Sequence, residues 1–313
     1  AALLLDPRLS NSDGASVSAQ QSHFRCGYLR GGKADFLAGY ASSRHSLSVA
    51  PIAVDASGDM QRDYWFSSER KAADLASPEA VGRYAAERTL SRLGAKKLST
   101  RTCPVLFDAP LAAGLMGAFV QGVSGGALYR KTSFLVDSLG QQIFPKALSL
   151  HEDPFVLGGK GSSPFDGEGC RVRARDVVKN GVVQGYFLSS YSARKMGMPT
   201  TGNSGGSHNL AWSWQGTKKS DELPAMLRKM GRGLFVTELM GQGVNYLTGD
   251  YSRGASGYWV ENGEIAYPVH EITIAGNLRE MFAQIVHIGA DVYTYGAKST
   301  GSVLIEKMKV AGN

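Results

Sequence analysis

The sequence lacks the features that identify small disulfide-bonded, secreted or membrane-spanning proteins. Its 313 residues contain three cysteines, which are Cys26, Cys103 and Cys170, and no CxxC pair. This pattern argues against a disulfide scaffold or a structural zinc site. No signal peptide and no apolar run of about 18 residues occurs. We therefore expect a soluble, cytoplasmic protein, and a chain of this length buries about 75% of its unfolded surface without help from metals.

Motifs of common hydrolases and nucleotide-binding proteins are absent or out of place. His151-Glu152 and His270-Glu271 both lack the second histidine of the metalloprotease motif HExxH. Two matches to the serine-hydrolase motif GxSxG, at Gly122–Gly126 and Gly202–Gly206, lack the strand-to-helix context of a nucleophile elbow. The glycine-rich segment 158–162 lacks the spacing of a phosphate-binding loop. No catalytic constellation follows from motifs alone.

Glycine is frequent, and positive charge exceeds negative charge. The 39 glycines among 313 residues are about 12% of the chain, against an average of about 7%. Most stand singly between apolar runs, which predicts turns. The net charge of +7 permits an acidic partner without identifying one. Arg171, Arg173 and Arg175 alternate with apolar residues as on one face of a strand, but no aromatic residue stands among them, so nucleic-acid binding is not expected.

Turn signals and short apolar runs predict an α+β fold of mostly antiparallel sheets with hairpins and a few packed helices. Asn262-Gly263 and Asn180-Gly181 each separate two strand-like runs, which is typical of two-residue type I′ hairpin turns. The polar stretch Lys96–Thr102 predicts a boundary. We expect a middle α+β region at residues 1–98 and a β-rich region at 99–313.

Capping residues and apolar spacing predict four main helices. They are Pro78–Leu93 behind Ser77, Ala109–Gly122, Asp221–Met230 behind Ser220, and a helix that begins after Asn277 and whose apolar stripe reaches Val286. Glycines at 114, 117 and 122 in the second helix predict close packing against a neighbouring backbone. Strands are expected at Val105–Phe107, Ser133–Leu139, Leu210–Trp214 and Val303–Met308.

Five segments spread along the chain share one family resemblance. They are VNYLTGDYSRGASGYWVENGEI within Thr237–Asn277, Ser124–Lys131, Ser163–Gly169, Ser190–Lys195 and Thr201–Asn209. Together they resemble the PmbA (TldE) branch of the TldD/PmbA family, whose older name is modulator of DNA gyrase. Full-length members of that family carry a further N-terminal α/β segment. We therefore interpret the abrupt start at Ala1 as an N-terminal truncation.

The resemblance implies a zinc metalloprotease system in which one subunit carries the zinc ligands. In the TldD subunit, a helix supplies a His-Glu pair with a second His, and a distant Cys completes the set. Alignment on Arg130-Lys131 places the three helical positions at Gly117, Ala118 and Gly122, and no cysteine follows Cys170. None of these residues binds zinc or acts as a base. The resemblance thus implies a subunit with no catalytic residue, metal ligand or cofactor of its own, and zinc in a TldD-like partner.

The expected partners are a TldD-like subunit, in a heterodimer, and an unfolded peptide substrate. A homodimer is possible for the chain alone, and no membrane contact is expected. We expect the loops Pro199–Asn209 and Gly249–Gly257 to help admit an extended peptide. Residues expected to face peptide or partner are Arg130, Lys131, Ser204, Gly205, Gly206, His208, Asn209, Asp250, Tyr251 and Arg253. Two alternatives stay open: a regulatory binding protein acting on DNA gyrase or nucleic acid, and a hydrolase with an unrecognised site.

Overall fold

The structure is a computed structural model and is described for residues 8–11, 16–29 and 36–312. Over these residues it contains eighteen strands, six α-helices and one 3₁₀ turn at Ala72–Asp74. The strands form four sheets in which most neighbours are antiparallel. The predicted α+β class is therefore confirmed. Within the described part of the chain, no helix has both the length and the apolar character needed to cross a membrane.

Contacts between residues divide the chain into two compact units. Among the described residues, the first unit contains those up to 26, 37–96 and 267–269. The second contains 27–29, 36, 97–266 and 270–312. The domain division between residues 98 and 99 stays a prediction.

The N-terminal elements form two three-stranded sheets and one helix. They are β1 (Leu9–Asn11), β2 (Ser16–Leu29), β3 (Phe36–Val49), β4 (Pro51–Val54), β5 (Met60–Arg62), β6 (Trp65–Glu69) and α1 (Pro78–Leu90). The strand orders are β1-β4-β5 and β2-β3-β6. The Ser77 hydroxyl caps α1 by accepting a hydrogen bond from the Ala80 N–H at 3.2 Å, as predicted. Val81 and Ala85 of α1 pack on Leu47 and Val49 in a small core.

The remaining elements follow in two six-stranded sheets. They are β7 (Arg101–Phe107), α2 (Ala109–Gly122), α3 (Gly125–Tyr129), β8 (Leu148–Asp153), β9 (Arg175–Lys179), β10 (Val182–Val183), α4 (Ser190–Lys195), β11 (Asn209–Trp214), α5 (Leu223–Met230), β12 (Gly233–Met240), β13 (Asp250–Glu261), β14 (Glu264–Asn277), α6 (Leu278–Ala283), β15 (Ile285–Ile288), β16 (Tyr293–Tyr295), β17 (Lys298–Thr300) and β18 (Val303–Ala311). One sheet has the order β10-β9-β8-β11-β17-β16, and the other β14-β13-β12-β7-β18-β15. β14 also pairs with β18, so five strands form a closed ring of pairings.

Both predicted hairpin turns are present. Asn262 and Gly263 have φ values of 54° and 78°, and Asn180 and Gly181 have 48° and 79°. Two successive left-handed residues match the twist of the flanking strands, and Asn-Gly adopts them at low cost. The hairpins are β13–β14 and β9–β10. Local backbone chemistry therefore sets these two turns.

Three predictions about the ends and identity of elements are wrong. The helix after Asn277 stops at Ala283, and the rest of its predicted stripe forms β15, because Ile285 and Ile288 pair with β18. Residues 133–139 form turns instead of a strand. Arg171 and Arg173 precede β9, so the three arginines do not share one strand face.

The predicted cap of α5 is also wrong. The helix begins at Leu223, with Glu222 at the cap position and no side-chain hydrogen bond there. Asp221 instead accepts the Lys218 N–H at 3.0 Å and contacts the His287 ring nitrogen at 3.1 Å. Asp221 therefore stabilises the turn before α5 rather than capping the N-terminus of the helix.

An aromatic cluster fixes α2 in the second unit. Phe119 of α2 lies 5.1 Å from Phe144 and 6.2 Å from Phe282 of α6 between ring centroids. Phe144 also contacts Trp212 of β11 at 6.0 Å. Edge-on aromatic pairs of this kind each add about 0.5–1.5 kcal/mol beyond their buried area. The C-terminal end of α2, where the candidate site lies, is therefore held in a fixed position.

Candidate functional site

An open cleft of about 450 Å³ lies at the C-terminal end of α2. Four pieces of chain line it: the end of α2, the helix α3 with Arg130, the segment from Phe187 to Ser192, and the loop 203–207. α3 and α4 meet beside the cleft at Gly125, where an added Cβ would overlap the side chains of Ser192 and Leu188. The glycine therefore permits the two short helices to approach closely.

Two tyrosines and two cations form one group around the cleft. The rings of Tyr129 and Tyr191 meet edge-on with centroids 5.7 Å apart. The Arg130 guanidinium carbon lies 5.1 Å from the Tyr129 centroid, and its Nη1 donates to the Tyr129 hydroxyl at 2.9 Å. The Lys195 ammonium lies 5.7 Å from the Tyr191 centroid. Aromatic faces beside cations offer both apolar contact and hydrogen-bond donors to a ligand.

The loop 203–207 presents backbone rather than side chains to the cleft. Gly205 and Gly206 have φ values of 104° and 113°, and an added Cβ at either would meet no atom within 4 Å. The Ser204 N–H donates to Asp166 Oδ2 at 2.9 Å, and the Gly167 N–H donates to the Ser204 carbonyl at 2.8 Å. The loop tip is thus open, while its base is fastened.

A buried glutamate holds this loop from below. The Glu152 side chain is 1% exposed, and its Oε2 accepts from Arg175 Nε at 2.8 Å. Its Oε1 accepts from Asn203 Nδ2 at 2.8 Å and from the His208 N–H at 2.9 Å, and lies 3.0 Å from His208 Nδ1. Burial acts to raise the pKa of Glu152, but the hydrogen bonds from His208 and the charge of Arg175 outweigh it and lower that pKa. A charged Glu152 therefore has a structural role.

The described residues contain one close group of three residues with metal-ligand atoms, Asp166, Glu168 and Cys170, whose ligand atoms lie within 4.8 Å of one another. Asp166 Oδ1 accepts the N–H groups of Glu168 and Cys170. Glu168 Oε2 accepts the Ser190 N–H at 2.8 Å and its hydroxyl at 2.6 Å. Burial, together with the two carboxylates, raises the pKa of the Cys170 thiol. The carboxylates of this set accept backbone and hydroxyl hydrogen bonds, and they thereby fasten the loops of the cleft.

The structure brings four of the ten predicted site residues together in the cleft. Arg130, Ser204, Gly205 and Gly206 line it. Lys131 follows Arg130 with a left-handed φ of 56° and is exposed, but does not belong to the lining. A common role for these residues in binding peptide or partner stays a prediction.

His208 and Asn209 lie beneath the cleft rather than in its lining. Asn209 Oδ1 accepts the Gly161 N–H at 2.8 Å, and its Nδ2 donates to the Asp153 carbonyl at 2.8 Å. His208 is buried against Glu152. Both side chains therefore anchor neighbouring loops.

The last three predicted residues lie on β13 and are not part of the cleft lining. Asp250 accepts the Thr248 hydroxyl at 2.7 Å. Tyr251 is 4% exposed, and its hydroxyl has no hydrogen-bond partner within the described protein. Arg253 Nε donates weakly to the Met240 carbonyl at 3.3 Å. Their role in contacting peptide or partner stays a prediction.

Sequence reasoning missed the residues that organise the cleft. Glu152 follows Leu148 and Leu150 at two-residue spacing on the buried face of β8. A carboxylate at such a position was a usable signal, because a buried charge needs partners. Tyr129 and Tyr191 stand 62 positions apart in the sequence, and no local pattern predicts that their rings meet.

Comparison with known proteins identifies similar chains along nearly the whole length. The model of the PmbA/TldA metallopeptidase C-terminal domain matches residues 100–312, and that of the central domain matches 34–93. The chain is 51% identical over 312 residues to metalloprotease PmbA of Escherichia coli O157:H7, covering 100% of this chain and 67% of that protein.

Solved structures show the same fold. A candidate modulator of DNA gyrase from Bacteroides thetaiotaomicron matches with a TM-score of 0.82 at 29% identity, covering 89% of this chain and 62% of the other. TldE from Thermococcus kodakarensis matches with a TM-score of 0.75 at 21% identity, covering 89% and 64%. The latter likeness concerns the fold alone. The chain spans about two thirds of the length of these relatives.

Proposed function

The chain belongs to the PmbA/TldA metallopeptidase family, and from that premise we propose that it is the zinc-free subunit of a two-subunit peptidase. A TldD-like partner would hold the zinc, which polarises a peptide carbonyl and activates water when bound. This chain would bind and orient an unfolded peptide and exclude bulk water. The cleft at the end of α2 would face that peptide.

The observation that carries the proposal is the composition and packing of α2. The three positions that align with the His, Glu and His of the TldD motif are Gly117, Ala118 and Gly122. An added Cβ at Gly122 would lie 2.9 Å from Leu135 Cδ1 and 3.1 Å from Phe134 Cε1. At Gly117 it would lie 3.6 Å from Lys298 Cε. A histidine at position 122 would therefore need its neighbours to move, which supports a helix adapted to packing rather than to metal binding.

The cleft has the chemistry that an extended peptide needs. Gly205 leaves the backbone at the loop tip open, so a passing chain could form main-chain hydrogen bonds there, whereas the Gly206 N–H and carbonyl already bond Asn203. Tyr191 is 51% exposed and offers an aromatic face that tolerates many side chains. Arg130 and Lys195 provide donors for peptide carbonyls or carboxylates. The proposed cleft thus favours exposed backbone over one particular sequence, in line with an unfolded substrate.

The test is to measure zinc content and peptide hydrolysis for the chain alone and mixed with the TldD-like subunit of the same organism. We expect a metal-free, inactive chain and a mixture that cuts unfolded peptides until a chelator is added. Stoichiometric zinc in the chain alone, or peptide cleavage by it alone, would contradict the proposal.

Two variants test the role of the cleft within the mixture. Tyr191→Ala and Arg130→Ala each remove one cleft side chain, and we expect the kcat/KM of the mixture to fall about tenfold, equivalent to about 1.4 kcal/mol of binding. The matched control is Lys219→Ala, because Lys219 is an exposed cation outside the cleft lining. Unchanged activity in both variants would remove the cleft from the mechanism.

A further inference from the structure

A second cleft, of about 420 Å³, lies where β7 begins and β13 ends. Its lining includes Arg101, Cys103, Arg232 and Trp259. Among the described residues that line it, none is acidic. It shares no lining residue with the cleft at the end of α2, and no step of the proposed peptidase function uses it.

One tryptophan supports both arginines. Trp259 is 2% exposed, and its indole N–H donates to Glu261 Oε1 at 2.9 Å. The Arg101 guanidinium carbon lies 4.7 Å from the ring centroid, and that of Arg232 lies 5.7 Å from it. The negative face of an indole attracts a guanidinium. A fixed ring therefore keeps two like charges beside one cleft.

Arg101 is held in place without being neutralised. Its Nε donates to the Ser99 carbonyl at 3.0 Å, and its Nη2 donates to the Ser99 hydroxyl at 2.6 Å. A guanidinium has five N–H donors, so several stay available. Neither Ser99 group carries a charge, and Arg101 has no carboxylate partner among the described residues.

Among the described residues, Arg232 has one loose carboxylate partner. Its Nη2 lies 3.6 Å from Glu261 Oε1, and the two side chains are 70% and 46% exposed. An exposed pair at this distance contributes little, and Glu261 Oε1 already accepts the Trp259 N–H. The remaining titratable group of the lining stays neutral, because burial raises the pKa of the Cys103 thiol more than the Arg101 charge lowers it. The cleft thus keeps an excess of positive charge.

We propose that this cleft binds a small anion with two or more charged oxygens, held by Arg101 and Arg232, whose guanidinium groups Trp259 supports. The planar fork of a guanidinium pairs with the oxygens of phosphate and carboxylate groups in the same way. A ligand with one charge would satisfy one arginine, whereas a divalent anion relieves the repulsion between both. The volume suits a compact metabolite or a phosphorylated or carboxylated group rather than a folded partner.

The experiment is a titration of the full chain with inorganic pyrophosphate and with citrate by isothermal calorimetry at fixed ionic strength. We expect at least one of them to bind, and Arg101→Gln and Arg232→Gln each to weaken that binding about tenfold or more, the loss of one charge-assisted contact. The stronger ligand tells whether the natural anion carries phosphate or carboxylate groups. Lys219→Gln removes the same charge from an exposed site outside the lining and should leave affinity unchanged.

Intrinsic fluorescence locates the ligand independently. Because the two arginines that would hold the anion contact the Trp259 ring, its addition should change the emission of the wild-type chain, and that change should be lost in Trp259→Phe. Thermal unfolding of every variant shows that it is folded. Absence of binding by both anions, or an equal loss of affinity in Lys219→Gln, overturns the proposal, because it leaves only a general effect of positive charge.

Discussion

Glu152 is the residue on which the loop of the first cleft depends most. Its two oxygens accept hydrogen bonds from Asn203, His208 and Arg175. Glu152→Gln keeps the shape but turns one acceptor into a donor that faces other donors. We expect unfolding in urea at pH 7 to show a loss of about 3–5 kcal/mol, the range for a buried ion pair with one partner removed.

The matched control lies on the same two strands. Asp176 of β9 contacts His151 of β8 at 2.8 Å, with side chains 41% and 51% exposed. Asp176→Asn should therefore cost less than about 1 kcal/mol, as for other exposed pairs. Equal losses in both variants would show that Glu152 has no special part in the fold.

The pH dependence of the Glu152 effect has a definite sign. The pKa of this carboxyl is lower in the folded chain than its ordinary value of 4.5. Its stabilising contribution is therefore complete above pH 4.5 and is lost as the pH falls through the lower folded value. The gap in unfolding free energy between wild type and Glu152→Gln should narrow as the pH falls below 4.5. A gap that widens on acidification would contradict this assignment.

The buried phenol of Tyr251 leads us to expect a loss of folding stability at alkaline pH. Burial raises its pKa from 10.0 to about 12, although the charge of Arg253 lowers it in part. The folded state therefore favours the neutral phenol, so stability is complete below pH 10 and is lost as the pH rises towards 12. That loss approaches about 2–3 kcal/mol for a shift of this size.

The measurement compares wild type with Tyr251→Phe in denaturant at several pH values. At pH 7 the variant should lose less than about 1 kcal/mol, because the hydroxyl makes no hydrogen bond with described residues. Between pH 10 and pH 12 the wild type should lose more stability than the variant. Parallel curves would show that the phenol is not buried as described.

At the scale of elements, two glycines of α2 differ in what surrounds them. An added Cβ at Gly114 would meet no atom within 4 Å, whereas at Gly122 it would contact Leu135 and Phe134 closely. Gly114→Ala should raise the free energy of unfolding by about 0.5–1 kcal/mol through helix propensity. Gly122→Ala should lower it by about 1–3 kcal/mol through overpacking. Similar shifts in both, measured by thermal unfolding, would contradict this packing of α2.

The same helix shows what sequence patterns can and cannot supply. The bounds of α2 follow from an apolar run between Asp108 and Gly122, since that signal is local. The prediction that all its glycines pack closely fails at Gly114, because a glycine contributes no pattern of its own. Ile285 and Val286 fit helical spacing, but they belong to β15, and the pairing of that strand with β18 decides their structure. The spacing of apolar residues alone does not show whether a segment forms a local helix or pairs with a strand that is distant in the sequence.

The candidate site likewise has one part that local sequence signals predict and another part that they do not. Gly205 and Gly206 were predictable as an open loop, since adjacent glycines with polar neighbours signal a turn. The support from Glu152, Arg175 and Asn203 joins residues between 23 and 51 positions apart. Such contacts exist only after two strands and a loop come together. The open loop of the cleft was therefore visible in the sequence, and its buried support and the pairing of its two tyrosines were not.

At the scale of the whole molecule, the net charge of +7 raises the question of whether the chain binds nucleic acid. Several cations are already engaged with aromatic rings: Lys96 lies 4.8 Å from the Tyr267 centroid, and Arg175 lies 5.2 Å from the Phe187 centroid while pairing with Glu152. The two arginines of the second cleft share one tryptophan. These contacts engage the named cations locally, and Arg171, Arg173 and Arg175 do not share one strand face that could form a basic stripe.

We therefore expect weak binding to DNA. A labelled 20-base-pair duplex, followed by fluorescence anisotropy, should bind with a dissociation constant no tighter than about 100 µM at physiological salt, the weak end of non-specific binding. A plot of the logarithm of the dissociation constant against the logarithm of the salt concentration should have a slope of about one or two, because the chain would contact few phosphates at once. Tight binding with a slope near six or more would mean that the cations form one extended surface. That outcome would favour a regulatory protein acting on DNA over a peptidase subunit.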